Sequence, residues 1–336
     1  MPASQGRATV VTRHPATIRR VAQSLGAVGL SVTHALAPGV LPKSEFGDFR
    51  VAVLDLDIDL AADPMALVDA TIMACPGAHL VVVAGVDAKR RLMQTLASPP
   101  VRHVVPKLGS WLDRPPEQRQ FDGPDEQDLA IALRRLLLPR SEPLGAAPYL
   151  IDGFSITEST ISSSNDKDAV LNTVLELAAA LDLSDEKKRR IEVSAEELLL
   201  NALYDAPRGP DGKSLHAGVD RRTPVHLEPG SHVRLQYGCD GRNFVVSIAD
   251  RYGALDRPPV VKSLSKLLDP QGPRPTAGIS GAGLGLMLTY SAANQLVIHA
   301  LPGRFTEVTA VMHVSGSNRT ALARGSALHL YLDGRL

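Results

Sequence analysis

The chain has 336 residues, with 36 Lys+Arg balanced by 36 Asp+Glu, and 44% of it is hydrophobic. At roughly 150 residues per domain this length implies about two domains, the apolar content argues against global disorder, and the charge balance argues against a chain whose main work is coating nucleic acid or an anionic membrane. Cys75 and Cys239 are too few for a disulfide framework or a cysteine-built zinc site. The opening residues lack an apolar stretch of signal-peptide length, and no apolar run is long enough to span a bilayer, so a cytoplasmic protein without membrane contact is expected.

Short apolar runs alternate with helical patterns through the first half. Strands are expected at Ala8–Thr12, Leu30–His34, Phe49–Asp55, His79–Ala84 and Val101–Val105. Helices are expected at Ala16–Gly26, Met65–Met73, Ala88–Leu96 and Leu129–Leu138. Five strands alternating with helices imply crossover units and a parallel, doubly wound sheet of flavodoxin type. Leu108–Asp128, rich in Pro, Gln and acid, reads as a surface loop, and its Trp111 as a residue packed on its own domain or a partner anchor. Pro139–Pro148 reads as a linker, giving domains at 1–139 and 149–316, a linker at 140–148 and an extension at 317–336.

In the second half, Tyr149–Ser163 alternates weakly and suits a strand or hairpin. Helices are expected at Asp168–Leu181 and Asp185–Tyr204, then a polar inserted loop at Ala206–Gly230. Val233–Tyr237 and Asn243–Ala249 suit a hairpin turning at Cys239–Arg242. A Pro/Gly-rich stretch, Asp256–Ser280, surrounds a short helical piece at Lys262–Leu268. A helix at Leu284–Asn294 and a strand pair, Gln295–Ala300 and Thr306–Val314, complete the pattern.

Three segments carry candidate chemistry. In RIEVSAEELLLNALYDAP, Ile191, Ala195, Leu198 and Ala202 share one helical face, and Ser194, Glu197, Asn201 and Asp205 share another. Glu197 and Asn201, one turn apart, could position a proton acceptor and hold a phosphate-bound cation, although a solvated polar face accounts for the same pattern. In VVSIADRYG an apolar strand ends at Asp250 with Gly253 three residues on; such an acid can accept hydrogen bonds from a base amino group or simply cap a turn. In GISGAGLGL, Gly281, Gly283 and Gly285 allow close backbone approach, and the following helix offers free amides and a positive dipole end to phosphate. Neither a Walker A loop nor a Rossmann fingerprint fits these glycines.

In this order and spacing, Glu197–Ala202, Asp250–Gly253 and Gly281–Leu286 resemble the Bergerat-fold ATPases, the superfamily of gyrase-type, histidine-kinase and anti-sigma-factor ATP-binding domains, over about Ile151–Val314. The resemblance implies a two-layer α/β domain with a mixed sheet on one side, helices on the other and ATP among the helices. It implies Glu197 as catalytic base or water-positioning residue, Asn201 as Mg²⁺ ligand, and Asp250 at the adenine amino group. Gly253 would make room for the base, Gly281, Gly283 and Gly285 would cradle phosphates, and Asp256–Ser280 would form a lid. No phosphoacceptor-histidine box precedes the segment, and Asp168–Pro207 looks most like the anti-sigma-factor serine kinases. Two departures stand out. The Asp-x-Gly-x-Gly pattern is altered at Asp250–Leu255, and Tyr204 stands where relatives carry a basic phosphate-contacting residue, a charge that Lys213 or Arg221 in the insertion could replace.

The first half resembles a response-regulator receiver over about Arg7–Pro139. Asp55 stands at the phosphoacceptor position and Lys107 at that of the phosphoryl-contacting lysine. The acidic pair that holds Mg²⁺ in receivers is replaced by Thr12-Arg13-His14-Pro15, and Ala84 replaces the hydroxyl residue after the fourth strand. A pseudo-receiver that binds a protein or dimerises is therefore expected, with Asp55, Asp57 and Asp59 running into a solvated loop. Together these readings describe a receiver-like domain joined to an ATP- and Mg²⁺-binding signalling domain, acting on a regulatory partner such as an anti-sigma antagonist or sigma-like factor without nucleic acid. It either transfers phosphoryl groups to serine or threonine, or acts without catalysis as an ATP-gated interaction module.

Overall fold

The computed structural model describes residues 6–40, 49–85, 89–107, 129–130, 133, 141–151, 153–216, 218–268, 284–316 and 325–332. The chain divides into two compact units, Met1–Leu138 with Leu322–His329, and Pro139–Ala321 with Leu330–Leu336.

The first unit is built on β1 (Arg7–Val11), β2 (Ser31–Ala35), β3 (Phe49–Asp55), β4 (His79–Ala84) and β5 (Val101–Pro106), which lie parallel in the order β2-β1-β3-β4-β5. Between them run α1 (Pro15–Ala27), α2 (Pro64–Ala74) and α3 (Lys89–Thr95). Proline at the first helical position opens α1 and α2, and the Asp63 carboxylate caps α2 by accepting from Met65 N–H at 3.3 Å. The strand FRVAVLD is buried on both faces apart from Arg50, which is why its apolar run is almost unbroken rather than alternating. A strand at β11 (Ala327–Tyr331), not anticipated from the sequence, pairs antiparallel with β5 through Leu328 and His329. All five of its residues are buried, so a short apolar run gave no period to read. The helix expected at Leu129–Leu138 falls largely outside the described residues, as does Trp111.

In the second unit β6 (Ile156–Ile161), β7 (Val233–Cys239), β8 (Asn243–Asp250), β9 (Gln295–Leu301) and β10 (Phe305–His313) form a sheet in the order β9-β10-β8-β7-β6. It was expected to be mixed, but each of its four described ladders is antiparallel: hairpins join β7 to β8 and β9 to β10, and the β6–β7 and β8–β10 ladders pair strands that helices separate in the chain. The helices are α4 (Lys167–Ala180), α5 (Asp185–Leu200), α6 (Arg257–Ser265) and α7 (Gly285–Ala292). Helix α5 packs between α4 and α7 and against β8 and β10. Its face of Ile191, Ala195 and Leu198 enters one buried cluster with Leu235, Phe244, Val246 and Ile248 of the sheet. The stretch expected to be a linker is tied to this unit, for the N–H groups of Leu144 and Gly145 donate to the buried Glu307 carboxylate. Among the described residues no helix is long and apolar enough to cross a membrane.

Candidate functional site

Helix α5 changes its winding where its chemistry begins. From Asn201 to Asp205 the backbone opens into a π turn, in which Ala206 N–H reaches the Asn201 carbonyl at 2.9 Å. Such widened turns recur at functional sites because they push side chains out of the regular helical array. Here the turn brings Asn201, Ala202 and Asp205 to a cavity of about 270 Å³, whose apolar wall includes Leu198, Ile248, Leu255, Leu286 and Val308. The cavity is slightly below the range of about 300–1,000 Å³ typical of small-ligand sites, a size that suits a nucleoside more than a whole triphosphate.

Asp250 lines this cavity from the end of β8. Asp250 is 5% exposed, and its carboxylate accepts from Tyr252 N–H at 2.8 Å. Burial pushes its pKa up to about 6, against the opposing pull of hydrogen bonds from Tyr252, Gly253 and Thr306. Among the described residues no cation pairs with it. A buried carboxylate without a counter-charge is costly, and such groups gather where a ligand makes use of them. Thr306 stands directly across the ladder from Asp250 and also faces the cavity. These two residues lie far apart in the chain, so only strand register could reveal their pairing.

Gly253 adopts φ +60°, and a Cβ there would run into the Leu301 carbonyl and the N–H groups of Gly303 and Arg304. Its glycine requirement thus comes from the β9–β10 turn packed against it, while Ala254 and Leu255 supply the cavity lining at this point. Gly285 opens α7 against α5, and a Cβ there would meet the Glu197 carboxylate and, at 3.2 Å, Asn201 Oδ1. The glycine therefore permits the close approach that brings Glu197, Asn201 and the start of α7 together. Gly281 and Gly283 lie outside the described residues, as does the part of Asp256–Ser280 beyond Leu268.

Glu197 has a side chain 20% exposed, with Arg221 Nη1 at 3.5 Å from its Oε2. Burial raises its pKa and Arg221 opposes the rise. Asp205 is likewise raised by burial and opposed by Arg221, whose Nη2 lies 2.8 Å from Asp205 Oδ2. Of the two basic residues in the insertion considered from sequence, Arg221 reaches the site, whereas Lys213 is 85% exposed and pairs with Asp211. Tyr204 is buried and donates its hydroxyl to the Thr223 carbonyl at 2.9 Å. The expected polar stripe on α5 is not uniformly solvated, since Ser194 is fully buried.

The first unit brings Asp55 and Lys107 together at the carboxyl ends of its strands. Lys107 Nζ lies 2.6 Å from Asp55 Oδ1 and 2.7 Å from Asp57 Oδ2. The second Asp55 oxygen accepts from the Thr12 hydroxyl at 2.6 Å, and Asp57 Oδ2 also accepts from Gly85 N–H at 2.9 Å. Of the three acids expected in a solvated loop, only Asp59 is exposed; a 3₁₀ turn at Leu56–Ile58 folds Asp57 back onto Lys107. Among the described residues no group of three or more His, Cys, Asp or Glu is placed to hold a metal ion. No protein-family profile matches the chain, and no curated protein matches it.

Proposed function

We propose that the second unit binds ATP with Mg²⁺, with the adenosine in the cavity beside Asn201 and Asp250 and the phosphates outside it, and that the protein is a cytoplasmic signalling regulator of the Bergerat ATPase type. The observation that carries this reading is the buried Asp250 carboxylate, unpaired with a cation among the described residues, at an apolar cavity that Asn201 also lines. In this reading a planar base rests against the apolar lining that includes Ile248 and Leu286, and Asp250 accepts from its exocyclic amino group. Asn201 supplies an oxygen ligand, which suits Mg²⁺ because that ion keeps waters and phosphate oxygens in most of its coordination sites. Bound Mg-ATP supplies the phosphoryl group for transfer. Glu197, its pKa raised by burial, accepts the proton of a serine or threonine hydroxyl from a partner protein such as an anti-sigma antagonist or sigma-like factor.

The first unit has the strand order of a receiver, with both Asp55 oxygens already engaged, and it serves as a pseudo-receiver for a protein partner or a second copy. A second reading, in which ATP only switches partner binding, is favoured by the Arg221 guanidinium that neutralises Glu197 in this structure.

Calorimetric titration with Mg-ATP, run on the wild type beside Asp250→Ala, tests the binding reading. Saturable binding that the variant loses supports it, and a folded wild type that takes up no ATP refutes it. Phosphorylation of a co-purified partner that Glu197→Ala abolishes separates transfer from switching; transfer unchanged in that variant removes Glu197 from the chemistry.

A further inference from the structure

The insertion that follows the π turn is tied down at several points. Tyr204 donates to the Thr223 carbonyl, His216 Nδ1 lies 3.2 Å from the Leu203 carbonyl, and Val225 enters the core. A tight turn from Asp220 to Thr223 is closed by Thr223 N–H on the Asp220 carbonyl at 2.8 Å. Arg221 projects from this turn with its side chain only 14% exposed. Its guanidinium bridges Asp205, which lines the cavity, and Glu197, one residue before the cavity-lining Leu198.

We propose, building on the nucleotide reading above, that Arg221 is the phosphate-binding cation beside this cavity, and that a bound polyphosphate draws its guanidinium away from Glu197 and Asp205. One guanidinium here serves two carboxylates, and the contact to Glu197 is long. Asp205 is 44% exposed, which places its bridge among the weak, solvent-screened kind. A phosphate offers the planar guanidinium fork paired oxygens and more than one negative charge, so it competes well for Arg221. Arg208 also lines the cavity, but its Nη1 is engaged with the carbonyls of Asp205, Ala206 and Pro207.

The exchange has a consequence for Glu197. Arg221 Nη1 lies 3.5 Å from Glu197 Oε2, so its departure removes a cation from beside that carboxylate when phosphate is present. In the empty cavity the same residue stays neutralised. Tyr204 acts as a positioning residue, because its hydroxyl anchors the turn from which the arginine reaches in.

Calorimetry with adenosine and with Mg-ATP on wild type, Arg221→Ala and Arg221→Lys tests the assignment. Arg221→Ala is expected to weaken Mg-ATP about tenfold or more, the usual loss for a hydrogen bond to a charged group, and to leave adenosine binding unchanged. Arg221→Lys should recover part of the loss, since it keeps the charge without the fork. Amide exchange across Asp220–Thr223 should change on adding Mg-ATP and stay unchanged on adding adenosine. Equal Mg-ATP affinity in wild type and Arg221→Ala overturns the proposal while leaving nucleotide binding intact. A parallel loss of adenosine binding also overturns it, by marking Arg221 as a structural residue. A wild type that binds neither compound overturns the nucleotide reading and this assignment with it.

Discussion

Replacing Asp250 with Asn should make the second unit more stable and less able to bind nucleotide. Burial lifts the Asp250 carboxyl from 3.8 to about 6. At about 1.4 kcal/mol per tenfold, keeping it ionised costs the folded chain about 3 kcal/mol at neutral pH. Asparagine removes the charge and keeps one oxygen for the Tyr252 N–H, but its amide NH₂ faces other backbone donors. Allowing about 1–2 kcal/mol for that conflict leaves a net gain of about 1–2 kcal/mol, or about 2–8 °C in the melting temperature of a domain of this size.

The gain depends on pH in a fixed direction. The folded chain holds the Asp250 proton more tightly than the unfolded chain, so wild-type stability falls as pH rises from about 4 to about 6 and then levels off. The advantage of Asp250→Asn is therefore full above about pH 6, vanishes at about pH 5 and turns into a deficit toward about pH 4. Scanning calorimetry on both proteins at pH values spanning that window measures it. Toward the base, the substitution turns an acceptor into a donor and should weaken adenosine binding about 10- to 100-fold. A variant less stable than wild type at neutral pH, or an advantage that does not shrink on acidification, would refute the argument that Asp250 is a costly charge held for a ligand.

Gly253→Ala should lower the stability of the second unit by about 1–3 kcal/mol, because a side chain at φ +60° is strained and here also meets the Leu301 carbonyl. Full tolerance in a denaturant titration would contradict the packing described. In the first unit, Lys107→Met leaves two buried carboxylates without their cation and should cost about 3–5 kcal/mol, part of which Asp57→Asn restores in the double variant. Additive effects in that double-mutant cycle would show that the ion triad is not the energetic unit its distances indicate.

The sequence by itself determined most of the elements and their order, though not β11 or the π turn that ends α5. Alternating apolar runs and helices placed β1 to β5 within a residue or two; β1, β3, β4 and β5 are buried on both faces and so apolar at most positions. The helical period of Ile191, Ala195 and Leu198 announced the buried face of α5, since a helix repeats its faces every three to four residues. Local spacing also placed Glu197 and Asn201 one turn apart.

Contacts between distant segments carry no such period, and only the tertiary structure decided them. Strand register set Thr306 beside Asp250, and the packing of α7 on α5 set Gly285 against Glu197. The fold of the insertion carried Arg221 to Glu197 and Asp205, where charge counting alone left Lys213 an equal candidate. Likewise, Asp57 became a buried partner of Lys107 because a 3₁₀ turn after β3 reversed its direction, and the sequence around it reads as an ordinary acidic loop. Burial, which raises the pKa of Asp250 and of Glu197, is a property of everything packed around a residue, and no segment of the chain encodes it alone.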